Sequence, residues 1–359
     1  SVVDKTTLPP GRNPRDYWHP APYWHPNRWI PGGLPYVQRD GVRVAGTRMH
    51  EPESARYDRS RLQRLFDDTT ALALAFAVDG REAFAAHAAR NVATWFVDPE
   101  RAMTPHLRYA QVRRGRNWNQ GTGAGIIEFK DIHYFLDAVR LLEAAGALEP
   151  STSAGLDAWL EAYRGWLGAS RQGRRERGAA NNHGTYFDLQ AAAIAARLGD
   201  RDGLRAILIR AETRLPLQIE PDGAQPRELA RSTTAHYCHF NLQGWLALLR
   251  LGRRAGILRP DPAAEPWVRL ARALDWTLGQ DLARWPHRQI EPFDPARAVP
   301  LAAHAVELGL RDPGTLDPAA LAAAPACLDP HDGIPPFWRL TDPRLLDAAA
   351  AARPGAAAR

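Results

Sequence analysis

From about residue 60 the chain places apolar side chains three and four residues apart. Leu62, Leu65, Phe66, Thr69, Leu72 and Phe76 form one such stripe, and Phe84, Ala88, Val92 and Trp95 form a second. Ile132, Phe135, Val139 and Leu142 follow, then Leu156, Trp159, Leu160, Tyr163 and Leu167, then Leu204, Ile207, Leu208, Ala211 and Leu215. This spacing puts each set on one face of a helix. Gly80, Gly146, Gly168 and Gly199 fall near the expected C-termini, where a residue without a Cβ closes a helix at little cost. No sustained two-residue alternation is present, so any strands are minor. Helices in series fit a bundle, a solenoid or an α/α toroid, and the lack of a fixed-period repeat disfavours a regular solenoid. In a toroid, the polar loops at 104–125, 171–184 and 222–239 would converge at one mouth.

The ends of the chain read differently. Residues 1–58 are rich in Pro, Gly, Trp, Tyr and His and lack a helical period, as in Tyr17-Trp18-His19-Pro20-Ala21-Pro22-Tyr23-Trp24-His25-Pro26. They predict an extended aromatic arm, which either caps a core or offers stacking platforms to sugar rings. Residues 59–341 are expected to form the helical domain, although 285–341, with Trp285, His287, Phe293, Phe337 and Trp338 among prolines, give no clear element. Residues 342–359 form an alanine-rich tail.

Composition narrows the class. Among 359 residues, 45% are hydrophobic, ample for a core. No run of about 18 apolar residues predicts a membrane span. The chain opens at Ser1 with no signal-like segment, which fits an exported protein with its leader removed or a cytosolic one. Cys238 and Cys327 are too few for a disulfide framework, and Cys238 reads as a small buried thiol. There is no CxxC and no HExxH, so no zinc site is evident. Net charge is +6 with pI near 9.6, and Lys5 and Lys130 are the sole lysines. The charge is therefore arginine, whose planar fork matches carboxylates and suits an acidic polymer. GC-rich coding gives the same bias.

Two polar clusters carry the chemistry. Asn181-Asn182-His183 precede an alanine-rich amphipathic run, and Arg231, His236, Tyr237 and His239 follow some fifty residues later. A proton on the carbon beside a uronate carboxylate is too weakly acidic to remove while the carboxylate stays charged. An enzyme must aim donors at that carboxylate, then supply a base at the proton and an acid at the leaving oxygen. Asn182 and His183 at a helix N-terminus, with Arg231, are suitable neutralisers, and Tyr237 is a candidate base and acid. The blander reading makes Asn181 or Asn182 a helix cap, pairs Arg231 with Glu228 on a surface helix, and buries His236 and His239 in the core. Asn117-Trp118-Asn119-Gln120-Gly121-Thr122-Gly123-Ala124-Gly125 lacks the strand and spacing of a dinucleotide fingerprint. It reads as a tight loop with a stacking Trp118 and amides for sugar hydroxyls. Arg113, Arg114 and Arg116 are candidates for holding carboxylates of neighbouring sugar units, as are Arg171, Arg174 and Arg175.

The same segments resemble the alginate lyase superfamily, which includes mannuronate lyases and glucuronan lyases. "NNHGTYFDLQ" at 181–190 is similar to its NNHGTWYDxQ signature, and "PRELARSTTAHYCHFNL" at 226–242 to its ELxRTxSxxYxxFNL segment. "MTPHLRYAQ" at 103–111 with "GTGAGIIEF" at 121–129, and "APYWHPNRWIPGGLPYVQRDG" at 21–41, resemble two further stretches. His25 and Asn27 stand where the arm of that family has Trp and Asp. The resemblance implies an all-α fold, an α/α toroid built as an incomplete barrel of helical hairpins. It also implies β-elimination without a metal or other cofactor, and a periplasmic or secreted location. Asn182, His183 and Arg231 would hold the carboxylate, with Tyr237 as the proton-transferring residue. Asn181, Trp24, Arg116, Trp118, Asn119, Gln120 and His239 are the candidate substrate-binding residues. In β-1,4-linked D-mannuronate and D-glucuronate, the C5 proton and the C4 oxygen lie on one side, so a single tyrosine can serve both steps. In L-guluronate or D-galacturonate they are opposed, and His183 is the candidate second base.

Two readings compete with the lyase. A glycoside hydrolase needs two carboxylates flanking the bond, and Asp188, Glu228 and Asp222 are available without a paired motif. A non-catalytic binder of acidic polysaccharide fits the twelve tryptophans and the positive charge. No nucleic-acid module is present.

Overall fold

The computed structural model describes residues 1–42, 56–258, 261, 263–328 and 333–341; the alanine-rich tail expected at 342–359 lies outside the described residues. The protein is mostly helical and falls into two compact units. The first comprises Ser1–Arg175 and the chain from Pro335, and the second Glu176–Ile334. Of the three polar loops, 104–125 belongs to the first unit, 222–239 to the second, and 171–184 runs across the boundary.

In the first unit α1 (Arg59–Asp79) packs on α2 (Glu82–Phe96) and α3 (Ile132–Ala144), and α4 (Pro150–Ala169) packs on α2. The predicted stripes point inward: Leu62, Phe66, Ala88, Val92, Phe135, Val139, Leu156 and Tyr163 are fully buried. Rings of Phe66, Phe96, Phe129, Phe135, Trp159 and Tyr163 meet one another at centroid distances of 4.9–5.7 Å. Gly80 ends α1 in the left-handed conformation at φ 79°, as expected of a C-terminal glycine, whereas Gly168 lies inside the last turn of α4.

The strands are short. β1 (Trp18–Pro20) runs parallel to β4 (Tyr109–Val112), and β2 (Trp24–His25) antiparallel to β3 (Val37–Gln38). The start of the arm is buried: Trp18 meets Tyr57, Tyr109 and Val112 in one apolar cluster. Tyr17 Oη and His19 Nδ1 reach the buried Glu128 at 2.6 and 2.8 Å, so the polar atoms taken out of water are paired, as burial requires. Gly121 and Gly125 serve packing. A Cβ on Gly121 or Gly125 would run into the Ala110 carbonyl oxygen, so the backbones approach as only glycine permits.

In the second unit α6 (Asn182–Arg197), which follows α5 (Arg171–Arg177), packs against α7 (Arg201–Gln218) and α9 (Thr234–Arg254). The short α8 (Pro226–Leu229) leads into α9. The stretch without a sequence assignment contributes α11 (Ala298–Glu307) and the short α12 (Pro318–Ala323), with α10 (Trp267–Leu278) before them; α10 and α11 both pack on α9. Cys238 is buried and Cys327 exposed, and neither is bridged.

Candidate active site

The second unit brings its two polar clusters together at the N-terminal ends of α6 and α9. Asn181 is the N-cap of α6 by backbone conformation, φ −132° and ψ −164°, but its side chain makes no capping bond. Its carbonyl oxygen accepts from Gln218 Nε2 at 2.8 Å. Asn182, the first helical residue, is 1% exposed. Its backbone N–H donates to Glu228 Oε1 at 2.8 Å and its Nδ2 to Glu228 Oε2 at 2.6 Å. An acidic group at a helix N-terminus satisfies an orphan donor and meets the positive end of the dipole. Burial raises the Glu228 pKa, and the two Asn182 bonds, Arg231 and His183 only partly oppose it.

His183 comes next on the helix and is partly exposed. Its Nδ1 lies 2.5 Å from Oε1 of the buried Glu176. Burial disfavours the imidazolium, but the Glu176 charge and hydrogen bond outweigh it, and the His183 pKa stands above its ordinary value. The ring is thus held as a cation further up the pH scale than a free histidine.

Arg231 lies in the bend between α8 and α9, and Tyr237 in the first turn of α9. The six-residue separation spans a turn, which folds the two side chains onto each other. Arg231 Nη2 donates to Tyr237 Oη at 2.8 Å, and the guanidinium carbon lies 3.8 Å from the ring centroid. Tyr237 is 7% exposed. His236 stands edge-on to Tyr237 and stacks on Phe240. His239 is a buried core residue: Nδ1 bonds the Ala235 carbonyl at 2.8 Å, the ring faces Phe293, and burial lowers its pKa to about 4. It is therefore neutral at physiological pH.

The alginate lyase family profile matches residues 1–282. The chain belongs to the alginate lyase family. It is therefore a polysaccharide lyase. A solved alginate lyase from Bacteroides ovatus is similar in structure, with a TM-score of 0.79 and 32% identity over 86% of this chain and 81% of that one. No curated protein sequence matches.

Glu176, Glu228 and Asp188 take parts in the candidate site that the sequence does not show. Glu176 is the partner of His183, and nothing in its local sequence announces it; Glu228 lies in the ELxR segment, but its pairing with Asn182 shows only in the fold. Asp188 lies inside the recognised motif, and its role is structural. It is fully buried and clamped by Arg210 at 2.6 Å and Arg214 at 3.0 Å. Arg214 also donates to the carbonyls of Ala179 and, at 2.8 Å, Arg177, which fixes the approach to α6. Thr185, Gln218, Asn241 and Trp245 form a buried hydrogen-bonded network between α6, α7 and α9. Glu228 is buried and bonded to Asn182, not an exposed helix partner of Arg231.

The remaining sequence candidates lie in the first unit of the lyase. Trp24 is flanked by Arg113 and Arg116, whose guanidiniums lie 4.6 and 5.4 Å from its ring. Arg116 Nε donates to the Tyr36 carbonyl at 3.1 Å. Asn117, Trp118 and Asn119 all have left-handed backbones, φ 48°, 55° and 54°, an unfavourable conformation for residues with a Cβ. Trp118 is 93% exposed. Asn119 Oδ1 accepts from Gly115 N at 2.7 Å and thus braces the loop; Gln120 is exposed. Arg171, Arg174 and Arg175 are exposed as well.

Proposed function

We propose that this lyase cleaves a β-1,4-linked D-mannuronate or D-glucuronate polymer by syn β-elimination, with Tyr237 transferring the proton. The observation that carries the reading is the Arg231–Tyr237 pair. A guanidinium 2.8 Å from the phenol oxygen and stacked on the ring stabilises negative charge on that oxygen, which a base needs. Asn182, the His183 imidazolium and Arg231 receive the uronate carboxylate. As Tyr237 Oη takes the C5 proton, charge spreads into the carboxylate and these donors bind it more tightly, which lowers the barrier. The C5–H electron pair becomes the C4–C5 double bond, the C4–O4 bond breaks, and the Tyr237 proton goes to the leaving O4. The products are a new non-reducing end bearing a 4,5-unsaturated uronate and an intact chain ending in a hydroxyl.

On this reading Trp24, Arg116, Trp118, Gln120 and Asn181 contact substrate, and the helices form an α/α toroid of hairpins. We place the protein in the periplasm or outside the cell, where such a polymer is met. The Glu176 carboxylate at His183 Nδ1 favours the protonated ring, which has no lone pair to offer, and so argues against His183 as the proton acceptor. Of the three carboxylates offered for a hydrolase, Asp188 is engaged by two arginines and Glu228 by Asn182, and Asp222 is exposed and accepts from the Ala224 N–H at 3.0 Å. The test is ultraviolet absorbance on polymannuronate, glucuronan, polyguluronate, hyaluronan and pectate. Absorbance from the new double bond on the first two is expected. Chain scission without absorbance on any of them rules out elimination, and turnover confined to polyguluronate or pectate rules out the syn substrate.

A further inference from the structure

The N-terminus of α6 holds a buried polar atom that the elimination scheme leaves unused. Asn182 Oδ1 is buried and has no hydrogen-bond partner among the described residues, while both other polar groups of Asn182 engage Glu228. In this arrangement Glu228 accepts at both oxygens, as an ionised carboxylate does, and the end of the carboxamide left without a partner is its oxygen. A uronate carboxylate is acceptor-only, so a bare acceptor oxygen offers it nothing. What it needs from Asn182 is the Nδ2 end.

The two ends of a carboxamide have nearly the same shape, so half a turn about Cβ–Cγ exchanges them without changing the volume filled. Turned over, Asn182 Oδ1 would face Glu228 Oε2 where Nδ2 now sits at 2.6 Å, and two acceptors would meet. One proton on Glu228 removes the conflict. Oε2–H then donates to Asn182 Oδ1, Oε1 keeps the backbone N–H, and Nδ2 is released.

We infer that Glu228 takes up a proton when a uronate carboxylate binds, and that Asn182 turns over with it to aim Nδ2 at that carboxylate. The inference rests on the lyase site proposed above. The O–H bond forms with a proton from water or buffer, and no covalent bond of the protein breaks. The cluster gains one positive charge from the proton and one negative charge from the substrate, so its net charge is held. Among the described residues, the titratable and charged groups around Glu228 are His183 on α6, Arg231 in the bend, and Cys238 on α9, with Glu176 acting through His183. Arg231 and His183 favour the ionised form and burial favours the neutral one. An incoming carboxylate adds a like charge and tips the balance toward neutral. Glu228 acts through Asn182 and is a positioning residue.

The test is calorimetric binding of a saturated β-1,4-linked oligomannuronate and of an oligoglucuronate to the Tyr237→Phe protein, which is expected to bind without turnover. Buffers of different ionisation enthalpy count the protons taken up. His183 can also gain a proton, so the count is compared with and without Glu228→Gln. That substitution mimics the protonated acid, since the new amide donates permanently to Asn182 Oδ1. We expect Glu228→Gln to keep the affinity, to reduce proton uptake by up to about one proton, and to flatten the rise of Kd with pH. Glu228→Ala, which removes both bonds, should weaken binding by about tenfold or more. If Glu228→Ala does not fold, as thermal melting would show, the comparison between Tyr237→Phe and its Glu228→Gln derivative decides alone. Equal proton uptake with and without Glu228→Gln overturns the inference but leaves the site reading intact. So does a Glu228→Gln variant as weak as Glu228→Ala, because Glu228 would then be needed as an anion. If Asn182→Ala, Glu228→Ala and Glu228→Gln all bind like the parent, the site reading falls as well.

Discussion

At Tyr237 the phenol oxygen receives a hydrogen bond from a guanidinium that also lies over the ring. Removing that oxygen leaves the ring, its packing and its cation contact in place. Tyr237→Phe should therefore keep polymer binding and lose turnover by about a hundred- to ten-thousand-fold, the usual worth of a general acid–base group. A variant that retains more than about a tenth of the rate removes Tyr237 from the mechanism. His183 makes a second prediction through its charge. Its pKa is raised, so the imidazolium, and the stabilisation of the Glu176 pair, are fully present below the unfolded histidine pKa. Both are lost as pH rises through the folded pKa. Glu176→Gln deletes the chief cause that raises it and leaves burial and Arg231 lowering it against Glu228 alone. The alkaline loss of kcat/KM should then move to lower pH, as should the His183 ring titration followed by NMR. An unmoved profile means that the His183 charge does not limit the reaction.

At the scale of the element, α6 is held by its own motif. A Cβ on Gly184 would run into the Ala179 carbonyl oxygen and the Arg214 guanidinium, the two groups that fix the turn before Asn182. Gly184→Ala should cost about 1–3 kcal/mol, as overpacking of a closed site does, which is a loss of several degrees in Tm. It should also reduce kcat by displacing Asn182 and His183. An unchanged Tm would mean the turn yields freely. Much of this element was legible beforehand. Asn182 and His183 stood out because a carboxamide and an imidazole beside an apolar run have no packing purpose, and the three-and-four spacing marked α1 to α4 and α7. The pairings of Glu176 and Glu228 were not legible. One lies seven residues before its partner and the other 46 after it, so only the folded chain shows that each carboxylate meets a donor. The helices within 285–341 were obscured because prolines and scattered aromatics break the period that reveals a helix. The buried start of the arm, by contrast, shows in sequence only as a run of rings, which serves a core and a sugar platform equally well.

For the whole molecule, the positive charge is nearly all arginine and the net charge is +6, a field suited to drawing in a polyanion. Exposed charges act over roughly 10 Å at 0.1 M salt and about 3 Å at 1 M, so their share in capture fades with ionic strength. The buried donors around Asn182 are screened much less. Salt should therefore raise KM for a long polyuronate while leaving kcat nearly unchanged, because encounter weakens and the aimed donors do not. A short oligouronate reaches fewer exposed arginines and should show a smaller rise. Arg113 and Arg116, which flank Trp24, are the natural test of where that field acts. Arg116→Ala should raise KM for the polymer at low salt and lose much of the difference at high salt, with kcat preserved. Steady-state rates read at the absorbance of the new double bond, across a salt series, check this directly. If salt lowers kcat and leaves KM fixed, the charge serves the chemical step instead of capture. If Arg116→Ala behaves as wild type at every salt concentration, the Trp24 surface is not where the polymer is held.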